Sequence, residues 1–208
     1  MKIIKLISNL LQSNTYIIEK NNQVVIIDCG CQVEKVKQVV EDKKVLAVLL
    51  THGHYDHSAY CNDYAKEFGC NIYASEKIGG TLTDKIAIYS ENYSTIKDLS
   101  SFKYVKNEQN FKLGSFEILC YEFPGHSPCS IGFLIDKNFF VGDFLFEKSF
   151  GRIDLKNGNR EEMLKSFDRF EKVDFEKVFS GHGEESLKID QINHLKVFRK
   201  FLGRKNQP

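Results

Sequence analysis

Thr51-His52-Gly53-His54-Tyr55-Asp56-His57 follows directly on the apolar run Val45 to Leu50. The run reads as a buried strand, so the segment sits where a strand ends and a loop begins. Three imidazoles and a carboxylate crowd into the six residues from His52 to His57. Such crowding is costly unless a cation sits among the groups. Neutral imidazole with carboxylate is an ordinary donor set for zinc or iron. On an extended chain His52 and His54, two apart, point to the same side. Asp56 and His57 come after the turn and face a second position. One loop can therefore feed two metal ions.

The other histidines repeat the pattern. The chain has six, and five of them lie in similar settings. His126 stands in Phe123-Pro124-Gly125-His126-Ser127-Pro128, after a predicted strand from Ser115 to Tyr121. His182 stands in Ser180-Gly181-His182-Gly183, after a predicted strand from Lys177 to Phe179. Asp143 adds a carboxylate in Val141-Gly142-Asp143, closing the apolar run Phe139 to Val141. Each is at the C-terminal end of a predicted strand, beside a residue type that bends the chain. The strand ends of one sandwich can converge on one rim. The sixth, His194, is expected on the polar side of the last helix.

His52-Gly53-His54-Tyr55-Asp56-His57 followed in order by His126, Asp143 and His182 resembles the metallo-beta-lactamase superfamily, over nearly the whole chain. Within it, Gly142-Asp143-Phe144-Leu145-Phe146 and then Gly151-Arg152-Ile153-Asp154 resemble the glyoxalase II-like hydrolases and the persulfide dioxygenases, above all their short, single-domain members. The resemblance implies two divalent ions, zinc first, with iron or manganese as alternatives. It implies His52, His54 and His126 on one ion, Asp56, His57 and His182 on the other, and Asp143 bridging both. It also implies a metal-bridging hydroxide as the nucleophile toward an acyl thioester, with Asp56 as ligand and catalytic residue. Metal-bound imidazoles need an acceptor on their other nitrogen, and Asp28, before Gly30 at a strand end, is a candidate; a plain turn-former is the alternative. Arg152 and Asp154 are expected to pair and fix the loop after Asp143, the alternative being that Arg152 meets an anionic substrate group.

Lys and Arg number 29 against 28 Asp and Glu, a net charge of +1, with no basic stripe of the kind nucleic-acid binding requires. A nuclease is accordingly the least favoured reading. Met1 to Ile7, interrupted by Lys5, reads as an edge strand and not as a signal peptide. No apolar run approaches membrane-spanning length, and the expectation is a cytoplasmic protein with a small-molecule partner. The six cysteines form no C-x-x-C pair and are expected to be reduced packing residues. Cys129, three residues after His126, opens the predicted strand Ile131 to Ile135; a thiol lining the substrate cavity is its alternative role.

One domain over 1–208 is expected, with strands at Lys2 to Ile7, Thr15 to Glu19, Val24 to Ile27 and Asn71 to Ala74. Asn21-Asn22 makes a turn, Val33 to Val40 has helical spacing, and Ser58 to Phe68 is a helix with Ser58 a possible cap. The stretch 76–110, with Tyr89, Tyr93 and Phe102, is irregular and a candidate cover for the site. Strands follow at 115–123, 129–135, 138–142 and 176–180. Helices follow at Arg160 to Phe170 and Asp190 to Leu202, the last with Ile192, Leu195, Phe198 and Phe201 as its apolar face. Strands then helix, twice over, suits an α/β four-layer αββα sandwich.

The leading reading is a dinuclear thioester hydrolase. Only one helix and a tail fit after His182, where two-domain glyoxalase II enzymes carry a glutathione-binding domain. A thioester hydrolase is still implied, with lactoylglutathione as its natural substrate left open. The main alternative is a persulfide dioxygenase with one iron on His52, His126 and Asp143. A flavodiiron oxygen reductase is disfavoured, because that pattern has Glu at His54, and a metal-stabilised binding module would have no need of Asp56.

Overall fold

Alternation of apolar residues in the strands sends successive side chains into two different cores. The computed structural model describes residues 1–88 and 95–203. One six-stranded sheet runs in the order β1 (Lys2–Ile7), β2 (Asn14–Lys20), β3 (Gln23–Ile27), β4 (Lys44–Leu49), β5 (Asn71–Ser75) and β6 (Phe102–Val105). The other runs β7 (Asn110–Leu113), β8 (Phe116–Glu122), β9 (Ile131–Ile135), β10 (Asn138–Gly142), β11 (Lys177–Ser180) and β12 (Ser186–Leu187). The helices are α1 (Val33–Val40), α2 (Tyr55–Ser58), α3 (Cys61–Phe68), α4 (Ile78–Leu82), α5 (Arg160–Lys172) and α6 (Lys188–Gly203).

Three apolar cores define four layers. Ile17, Val24, Ile26 and Val48 pack against Val36 of α1 and Tyr64 of α3. Their strand neighbours Ile18, Val25, Ile27 and Leu49 face inward, against Ile118, Phe133 and Phe140 of the second sheet. Phe139, Val141 and Val178 point the other way, onto Phe167 and Phe170 of α5 and Leu195 and Phe198 of α6. The fold is the expected αββα sandwich.

Several details differ from the sequence-based expectation. The helix expected over Ser58 to Phe68 is two, α2 and α3. Ser58 is no N-cap: it closes α2 and its hydroxyl donates back to the carbonyls of His54 (2.9 Å) and Gly53 (3.2 Å). The buried face of α6 is Gln191, Leu195, Phe198 and Leu202, rotated from the expected one, and Phe201 is exposed. His194 is half-buried, its ring 5.9 Å from that of Phe198. Edge strands β6 and β7, the two-residue β12 and helix α4 were not anticipated, since each is too short to show a period. Tyr89 and Tyr93 lie outside the described residues. All six cysteines are free and buried. Among the described residues no helix is long and apolar enough to cross a membrane.

Candidate metal centre

Each half of the molecule pairs parallel strands whose C-terminal ends reach one rim. In the first sheet β3 runs parallel to β4, and in the second β10 runs parallel to β11. Asp28 follows β3, His52 and His54 follow β4, Asp143 follows β10 and His182 follows β11. Asp56 and His57 ride on α2, and His126 follows β8. The two sheets are joined beneath this rim. Asn14 N donates to Gly181 O (2.7 Å), Ile131 N to Thr51 O (2.9 Å) and Tyr16 Oη to Ser180 O (2.7 Å).

The seven expected ligands form one cluster, with five of them buried and Asp143 and His182 partly so. His52, His54 and His126 bring ligand atoms within 4.8 Å of one another, as do Asp56, His57 and His182. Asp143 touches both groups, its Oδ1 3.3 Å from His57 Nε2 and its Oδ2 3.5 Å from His182 Nε2 and 3.7 Å from His126 Nε2.

The hydrogen-bond network assigns the tautomers. His57 Nδ1–H donates to Asp28 Oδ2 (2.8 Å), and His126 Nδ1–H to the Arg152 carbonyl (2.8 Å). Thr51 Oγ1 donates to Asp28 Oδ2 (2.9 Å), so it accepts from His52 Nδ1–H (3.0 Å). The opposite ring nitrogens are thereby aimed into the cluster. His52 Nε2 is buried there with no hydrogen-bond partner among the described residues. His54 Nδ1 lies 2.9 Å from His126 Nε2, and His57 Nε2 lies 3.3 Å from His182 Nε2. Facing lone pairs repel at such distances unless a proton or metal ion stands with them.

The titration directions describe the same demand. Burial pulls the His52, His54 and His126 imidazoles down, His54 to about 3, which favours in all three the neutral form that metal binding requires. Burial acts alike on His57 and His182. The Asp56 and Asp143 carboxylates outweigh it, holding His57 well above the ordinary value and His182 up at about 9. Burial would raise Asp56 and Asp143 in turn, but His57 above all holds both below the usual carboxylate range. Two ionised carboxylates here call for positive charge, which a metal ion supplies without burying imidazolium.

Above the cluster lies a cavity of about 330 Å³ lined by His54, Asp56, His126, Asp143, His182 and Arg152, with Leu11, Tyr55, Phe146 and Leu155. Arg152 is paired with Asp154 through two nitrogens (3.0 and 2.8 Å). Cys129 is not in this lining: it is fully buried between Thr81 and Ser127, whose hydroxyls are each 3.3 Å from its sulfur. None of the described residues of 76–110 lines the cavity either. That stretch supports the ligand loop from behind, where the Ile88 carbonyl accepts from Tyr55 N (2.9 Å), and Phe102 is buried in core. The sequence reading missed Thr51, the Arg152 carbonyl and Ser13, which donates to the Asp56 carbonyl (2.6 Å). Only the position of Thr51, beside His52, could have signalled one of them.

The family model described as Metallo-beta-lactamase superfamily matches residues 8–182. The chain is 29% identical over 186 residues to the probable metallo-hydrolase YqgX of Bacillus subtilis (strain 168), covering 85% of this chain and 87% of that protein. It is 31% identical over 156 residues to the hydroxyacylglutathione hydrolase GloC of Haemophilus influenzae (strain ATCC 51907 / DSM 11121 / KW20 / Rd), covering 71% and 72%. The crystal structure of BLEG-1 B3 metallo-beta-lactamase superposes with a TM-score of 0.83 at 27% identity, covering 94% of this chain and 99% of that one.

Proposed function

The chain belongs to the metallo-beta-lactamase superfamily, and on that premise we propose that it hydrolyses small acyl thioesters in the manner of glyoxalase II, using two divalent ions, zinc foremost. The observation that carries this reading is the orphaned His52 Nε2 inside a cluster whose other imidazoles are oriented from behind. His52, His54 and His126 would hold one ion, Asp56, His57 and His182 the second, with Asp143 shared between them. Bound ions would supply Lewis acidity and a water whose pKa is lowered to about 7.

The chain's own residues supply the rest. Asp28, Thr51 and the Arg152 carbonyl fix imidazole orientation. Asp56, held ionised at the cavity floor, orients the attacking water. Leu11, Tyr55, Phe146 and Leu155 give the acyl group an apolar wall. The similarity to GloC supports a thioester as the substrate class. The cysteines are spectators, and Cys129 takes no part.

The test is metal identity and stoichiometry by elemental mass spectrometry on protein purified without chelator, followed by a thioester panel. Two ions per chain and thioester cleavage that His54→Ala abolishes are expected. One iron per chain, with oxygen uptake on adding a persulfide, would replace this reading by the dioxygenase.

A further inference from the structure

Gln191 on α6 is fully buried, although a primary amide is costly to bury unless both ends are bonded. Its Nε2 donates to the Phe146 carbonyl (2.8 Å) and to Ser186 Oγ (2.8 Å), and lies 3.3 Å from the Glu147 carbonyl. Two carbonyl acceptors fix which end of the amide faces them. Its Oε1 is buried with no hydrogen-bond partner among the described residues. An apolar side chain would pack beside Leu195 and Phe198 without that cost, so packing does not account for the amide.

The carbonyls it holds belong to a turn that starts three residues after Asp143. Phe146 N donates to Ser149 O (2.9 Å), and Leu145 pairs with Phe150 across the turn. Phe146 lines the cavity, and its ring meets the His182 imidazole edge to face, centroids 5.9 Å apart at 72°. His182 has 27% of its side chain exposed, against 11% for Asp143 and none for His57. It is the most exposed member of the cluster, and Phe146 is its wall.

We infer that Gln191 is a positioning residue. It ties the 146–149 turn to α6, and so sets the placement of Phe146 in the acyl pocket and against His182. The acyl-pocket half rests on the thioester reading; the His182 half does not.

A double-mutant cycle with Gln191→Met and Phe146→Ala tests this. Gln191→Met is expected to raise KM for the best thioester about tenfold, with kcat changed less, and to add nothing once Phe146 is alanine. The visible absorption band of the cobalt(II)-loaded protein is expected to shift in both single variants, with no further shift in the double. Additive effects, or a lower Tm with KM and the cobalt band unchanged, would overturn the proposal and leave the amide merely structural. If the wild type cleaves no thioester, the functional reading falls, while the cobalt spectra still decide the role of Gln191. Should Gln191→Met not fold, Gln191→Asn, one methylene short of the two carbonyls, takes its place with the same expected outcome.

Discussion

His57 is held at both ends of its ring. Nδ1 donates to Asp28, and Nε2 faces Asp56, Asp143 and His182. Asp28 is a single carboxylate serving three donors, since Thr51 N and Thr51 Oγ1 also reach it at 2.8 and 2.9 Å. It does so from a backbone with φ of +62°, a conformation Asp tolerates better than most residues. Removing the charge while keeping the shape tests this. Asp28→Asn is expected to weaken metal affinity 10–100-fold without unfolding the chain, read by competition with a chromophoric chelator. Unchanged affinity would mean that Asp28 only shapes the turn. At this scale the cluster of candidate ligands was legible because imidazole and carboxylate in the 52–57 loop have few other reasons to crowd. Their supports were not: a threonine hydroxyl and a backbone carbonyl carry no mark of what they touch.

Strand ends, more than side-chain identity, bring the ligands together, and small residues let the ends approach. A Cβ on Gly181 would fall 2.1 Å from Asp143 Oδ1 and 2.7 Å from His57 Cε1. Both atoms belong to the cluster, so neither has room to give. Gly181→Ala is expected to lose at least one ion per chain by elemental analysis while keeping its far-UV circular dichroism. Gly80→Ala, on α4 with open space around it, is the control expected to change neither, and equal metal content in the two variants would refute the steric argument. Long elements were legible from their periods: β1 and α1 have the expected bounds. The rotation of α6 was not. Its buried face includes Gln191, and an apolar-face rule passes over a glutamine and selects Phe201, which lies exposed.

Taken whole, the molecule stores its site as a balance of buried charge. Without metal, Asp56 and Asp143 favour the protonated imidazole, raising His57 above its ordinary value and His182 to about 9, whereas ligating imidazoles must be neutral. Metal loading at pH 7 is therefore expected to release at least one proton per chain, that of His182. Titration calorimetry in buffers of different ionisation enthalpy measures this, and zero release would contradict the charge balance. The signs are fixed by His182, raised from 6.5 to about 9. Its share of the chelator-treated protein's stability is full below 6.5 and is lost as pH rises through about 9. Metal competes with that proton, so apparent metal affinity rises across the same window. By itself the sequence determined the sandwich, the seven His and Asp residues that share one site and the candidacy of Asp28, because strand periods and donor crowding are local signals. Only the tertiary structure decided that β3–β4 and β10–β11 empty onto one rim, that Cys129 faces core and not cavity, and that Gln191 reaches the turn beside Asp143. Those facts depend on which residues distant in the chain are packed together, and no local pattern encodes that.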